Sequence, residues 1–145
     1  MGRRAVATHG LGAAGGEGEQ AEGLALDAGA LIALERSHPQ LLALLDRVSE
    51  LQRAVAVPAA ALAQAWRASP RQHSLAVLLA DDNVEVPALD LRQALNIGAL
   101  LAATGTSDVV DASVALAARE RHHWVVTSDA DDFRRIDPLL PLIVV

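Results

Sequence analysis

Two short apolar runs in this chain each end on an aspartate and lead straight into a helical pattern. They are Leu24-Ala25-Leu26-Asp27-Ala28-Gly29-Ala30-Leu31-Ile32-Ala33-Leu34-Glu35 and Trp124-Val125-Val126-Thr127-Ser128-Asp129-Ala130-Asp131-Asp132-Phe133. Solidly apolar runs of four or so residues suit strands covered on both faces, as in parallel sheets. In open parallel α/β sheets, ligands bind beyond the carboxyl ends of the strands. Asp27 and Asp129 are therefore expected at one rim of one sheet.

A third stretch supplies more acid. Thr106-Ser107-Asp108-Val109-Val110-Asp111-Ala112-Ser113-Val114-Ala115-Leu116-Ala117-Ala118 reads as a helix start followed by an Ala-rich apolar run. Asp108 and Asp111 are three apart, so both fall on one face of the first turn. Ser107 is the expected N-cap. One acid at a helix start is ordinary dipole chemistry. Several carboxylates meeting without basic partners repel one another, and a hard divalent cation resolves that.

The rest of the chain alternates in the same way. Strands are predicted at 54–57, closed by Pro58, at 84–86, and at 142–145 as an edge. Helices are predicted after Pro39, over the segment bearing Gln64, Trp66 and Arg67, from Ser69-Pro70 to Ala80, and from the Asp90 cap to Ala103. In the last of these, Leu91, Ala94, Leu95, Gly98 and Leu101 form the expected inner face. Trp66 is expected to pack inside. The adjacent His122 and His123 end a helix and diverge, which disfavours a shared metal. Such alternation implies an α/β fold, a three-layer α/β/α sandwich with a central parallel sheet. The stretch 1–23 is rich in Gly, Ala and Glu and reads as a flexible extension, leaving 24–145 as the domain.

Composition removes several rivals. The 145 residues include no cysteine, so disulfides and thiolate metal sites are excluded. The net charge of −6 argues against binding nucleic acid by bulk charge, but not against an acidic site masked by cations. All twelve basic residues are arginine. Phosphate loops of the Walker type need a lysine, and receiver domains and haloacid-dehalogenase-like phosphatases use one in the site. No run approaches the roughly 18 apolar residues of a membrane span, and the expected setting is cytoplasmic.

"LALDAGALIALE", "TSDVVDASVALAA" and "VVTSDADDF", in that order and spacing, resemble a PIN domain of the VapC toxin type, over about Leu24 to Val145. The resemblance implies a metal-dependent ribonuclease, with an acidic cluster at the carboxyl edge of the sheet and Mg2+ or Mn2+ as cofactor. It implies RNA as substrate, a cognate antitoxin as partner, and a homodimer. The family's first acid falls on Asp27, its third on Asp111 with Asp108 as companion, and its fourth on Asp129 with Asp132 a turn later. Asp27, Asp108, Asp111 and Asp129 are the expected catalytic set. Asp27, Asp111, Asp129 and Asp132 are the expected ligands, with Gln64, Thr127 and Ser128 supporting. One position departs from the pattern. The family usually has a Glu in a segment like "E-x-W-R", and here that place holds Gln64, which keeps shape and one carbonyl acceptor but no charge. The alternative expectation is therefore a non-catalytic PIN-like module that binds RNA or protein.

Overall fold

The computed structural model describes residues 22–145. The expected extension at 1–23 lies outside the described residues, except for Glu22 and Gly23, which already join the sheet.

Five strands form one sheet: β1 (Gly23–Leu26), β2 (Ala54–Ala56), β3 (Val84–Glu85), β4 (Trp124–Thr127) and β5 (Leu142–Val144). Their order is β3-β2-β1-β4-β5, and every pairing is parallel. Seven helices connect them: α1 (Ala28–Glu35), α2 (Pro39–Glu50), α3 (Ala59–Ala65), α4 (His73–Leu79), α5 (Leu91–Thr104), α6 (Val109–Arg121) and α7 (Ala130–Ile136). Right-handed crossovers in this strand order put α1, α2 and α4 on one face and α5 to α7 on the other, with α3 touching both α1 and α6. The result is the expected three-layer α/β/α sandwich. Among the described residues no single helix is long and apolar enough to cross a membrane.

β1 is central because its neighbours cover it completely. Leu24, Ala25 and Leu26 are wholly buried, as are Val125 and Val126 beside them on β4. A strand buried on both faces has no use for alternating polarity, hence the solid apolar run. At its foot, β1 approaches β2 so closely that a Cβ on Gly23 would stand 2.0 Å from the Ala54 carbonyl oxygen and 2.9 Å from Cε1 of His123. His123 is buried there, with neither ring nitrogen hydrogen-bonded, while His122 is exposed in the left-handed C-cap of α6. Burial, then the Arg121 cation, holds the His123 pKa below its usual range. The two histidines do diverge.

Several local expectations change. The segment with Trp66 and Arg67 leaves the helix early: α3 ends at Ala65, and Trp66 is extended and exposed. Ser69-Pro70 opens a 3-10 turn through Gln72 before α4 begins. α5 turns a different face inward. Gln93, Ile97 and Leu100 are buried, whereas Leu91 and Leu95 are 76% and 66% exposed. Rows at i, i+4, i+7 were available on both sides of this Ala- and Leu-rich helix, so apolar spacing alone did not choose between them. The cap of α6 is Asp108 rather than Ser107: its Oδ1 accepts from the Asp111 N–H at 2.9 Å.

Candidate functional site

Asp27 follows the last residue of β1 and caps α1. Its Oδ1 accepts from the Ala30 N–H at 2.7 Å, and its own N–H donates to the Val126 carbonyl at 3.2 Å. The side chain is 6% exposed. Burial raises its pKa, and Asp129 adds to the rise. Hydrogen bonds from the Thr127 hydroxyl and the Ala30 N–H act the other way.

Thr127 ends β4 and is wholly buried. Its hydroxyl oxygen accepts from the Asp129 N–H at 2.9 Å while hydrogen-bonding Asp27. One hydroxyl thus ties together the two acids that follow adjacent strands. Ser128 is exposed. Asp129 stands at the cap position of α7, yet its carboxylate makes no capping bond. Gly29 leaves room here, since a Cβ on it would come within 2.5 Å of the Ser128 Oγ and 3.4 Å of Asp27 Oδ1.

From the other side, α6 brings Asp111. This carboxyl is half-buried. Its pKa is pushed up to about 7, first by burial and then by the charges of Asp108, Asp132, Asp27 and Asp129, in that order. Asp111 therefore feels four other acids, from the ends of β1 and β4 and the starts of α6 and α7. Asp132, in the first turn of α7, is itself raised by desolvation and by Asp129. Arg135 lies 3.2 Å from its Oδ1 and offsets part of that. Asp131 turns away to an exposed pair with Arg134 at 3.1 Å. Gln64 sits exposed on the last turn of α3, a helix that lies between α1 and α6.

The donors at this rim are carboxylate, hydroxyl and amide oxygens, which is hard-cation chemistry. Their mutual repulsion, expressed in the displaced pKa of Asp111, is what a bound dication relieves. Among the described residues no three or more His, Cys, Asp or Glu side chains stand as a ready-made ligand cage. Mg2+ takes only one or two carboxylates and keeps several waters, so the donor set suits it without a closed cage.

One buried polar residue had no motif to announce it. Gln72, 2% exposed, donates from Nε2 to the Ala65 carbonyl at 2.8 Å and accepts at Oε1 from the Arg67 N–H at 2.8 Å. Its spacing with the buried Leu75, i and i+3, was the only sign that it faces inward.

No family model matches the chain, and no curated protein matches it. Solved structures do. One is VapBC2 from Rickettsia felis bound to a DNA fragment from their promoter, with a TM-score of 0.64 at 19% identity, covering 84% of this chain and 98% of that one. A second is FitAB bound to an IR36 DNA fragment, with a TM-score of 0.56 at 17% identity, covering 83% and 94%. A third is FitAcB from Neisseria gonorrhoeae, with a TM-score of 0.53 at 18% identity, covering 83% and 96%. At such identities the likeness speaks for the fold, and it covers nearly the whole of each matched chain. The sheet order and these neighbours agree on the fold: the described chain has the PIN-type α/β/α fold that it shares with chains of the VapBC2, FitAB and FitAcB structures.

Proposed function

We propose that this chain is a Mg2+- or Mn2+-dependent endoribonuclease, the toxin half of a toxin–antitoxin pair. The observation that carries the reading is the convergence of acids from three segments of the chain: Asp27, the Asp108 and Asp111 pair, and the Asp129 and Asp132 pair. The neighbours VapBC2, FitAB and FitAcB support a two-component setting.

In this reading Asp27 and Asp111 hold the cation directly. Asp129 holds a second ion or a water, with Asp108 and Asp132 in support. When bound, the cation acidifies a water molecule and stabilises negative charge on the phosphate. The chain's own residues supply the rest. Thr127 fixes the Asp27 carboxylate and the Asp129 backbone together. Asp111, with its pKa about 7 before any cation arrives, is poised to give up a proton to solvent as one binds. Gln64 offers a carbonyl and an amide to a water but cannot act as a base. The product is a cut RNA phosphodiester bond.

Gln64 favours one other reading, a non-catalytic RNA- or protein-binding module.

Purified chain incubated with Mn2+ and a panel of RNAs separates the two. Endonucleolytic products that vanish with EDTA are expected. No cleavage by the native chain, with activity appearing in Gln64→Glu, would overturn the catalytic reading in favour of the module.

A further inference from the structure

Trp66 is 38% exposed, whereas the second tryptophan, Trp124, is buried. An indole left in water forfeits a large apolar contact. Here its backbone is nevertheless held on both sides by one buried side chain. Gln72 bonds the carbonyl of Ala65, just before the tryptophan, and the N–H of Arg67, just after it. The same Nε2 reaches Glu35 Oε2 at 3.3 Å, pinning this corner to the end of α1. The Arg67 guanidinium folds back to the backbone carbonyls of Trp66 at 2.7 Å and Ala63 at 3.3 Å, which anchors the backbone of this corner further. Ala68 follows in the left-handed region, φ 54°, and turns the chain away. The fold thus holds an exposed ring on a fixed mount.

The mount stands toward the far end of α1 from Asp27. α3 packs between α1 and α6, the helices that begin at Asp27 and Asp108. Glu35 ends α1, whose eight residues span about 12 Å. A short single strand laid over the acidic rim reaches that far.

We infer that Trp66 is a stacking platform for an unpaired base of the RNA, with Arg67 beside it toward the backbone phosphates. This rests on the ribonuclease reading above and adds a specificity: single strands, whose bases present free faces, and not duplexes. Aromatic stacking of this kind tolerates every base, so it selects strandedness before sequence.

The test uses the whole chain in EDTA, where no RNA is cut, and a short single-stranded oligoribonucleotide as probe. The oligonucleotide is expected to quench the fluorescence of Trp66 and not that of buried Trp124, so quenching disappears in Trp66→Phe. Affinity should fall roughly fivefold to hundredfold in Trp66→Ala and be largely retained in Trp66→Phe. A duplex of the same sequence should quench weakly. Circular dichroism of each variant establishes that the fold is kept. Unchanged affinity in Trp66→Ala overturns the inference, as does an indole untouched by RNA but shielded from a soluble quencher by a bound protein partner. If the native chain cuts RNA with Mn2+ while Trp66→Ala binds as tightly, stacking falls and the ribonuclease stands. If Trp66 is quenched and no RNA is cut, the platform stands and the ribonuclease falls.

Discussion

The hydroxyl of Thr127 hydrogen-bonds the carboxylate of Asp27 across two neighbouring strands, and its oxygen also accepts the N–H of Asp129. A wholly buried hydroxyl thus holds the Asp27 carboxylate and the Asp129 backbone. Thr127→Val keeps shape and removes that bond. Mn2+ affinity, measured by calorimetry, should drop about tenfold, as for other residues that orient a metal ligand. Thr127→Ser should recover most of it. Equal affinity in all three proteins would show that Asp27 needs no such support.

Asp111 makes the cation-free fold sensitive to alkali. Burial and then its acidic neighbours push its pKa from 3.8 up to about 7. The stability linked to this proton is complete below about pH 4 and is lost as the pH rises through 7. Asp111→Asn removes the charge, so in EDTA the variant should melt about 2–4 °C above the native chain at pH 8. The gap should close at pH 4. Because His123, with its lowered pKa, titrates with the opposite slope near neutrality, the difference between variant and native chain is the quantity to follow. A gap of the same size at both pH values would contradict the crowding of acids around this side chain.

The same substitutions bear on activity. Asp27→Asn and Asp111→Asn should each lower the rate of RNA cleavage at least about a hundredfold, because each replaces a charged ligand by a neutral one. A double variant cutting at the native rate would refute the assignment.

Gln64→Glu should tighten Mn2+ binding and raise the cleavage rate about tenfold or more. It restores a carboxylate on the helix between α1 and α6. Calorimetry and a cleavage time course check both, and a slower variant would argue that Gln64 faces away from the rim.

Backbone geometry makes its own forecast. Gly23→Ala would push a Cβ to 2.0 Å from the Ala54 carbonyl oxygen, which neither strand can yield without breaking their pairing. A melting temperature lower by about 10 °C or more is expected. Ala68→Gly, at φ 54°, relieves a left-handed alanine and should add about 0.5–1 kcal/mol by chemical denaturation.

Much of this was readable from the chain itself where local chemistry and tertiary position agree. The Asp27 and Asp129 segments declared themselves because a strand buried on both faces must be apolar throughout and must end where polarity begins. Asp90 capped its helix as expected, at 2.9 Å from the Gln93 N–H. What stayed hidden depended on packing between elements. α5 has apolar rows on two sides, and only contact with α6 and α7 decides which is buried. Trp66 looked like core by its chemistry, but α3 stops one residue before it. Gln72 works through two backbone groups, Ala65 and Arg67, and backbone partners leave no trace in a pattern of side chains.

The acids at this rim are mounted in two different ways. Asp27 and Asp129 extend from adjacent strands of the central sheet, and their separation is inherited from a ladder that the entire core enforces. Asp108 and Asp111 arrive on a helix that begins only a few residues after the left-handed turn at Gly105. One jaw of the vice is cast with the frame and the other is hung on a short hinge. Adjusting the distance between the two sets of acids is therefore a matter for the loop at 105–108, where a change of one residue leaves the sheet undisturbed.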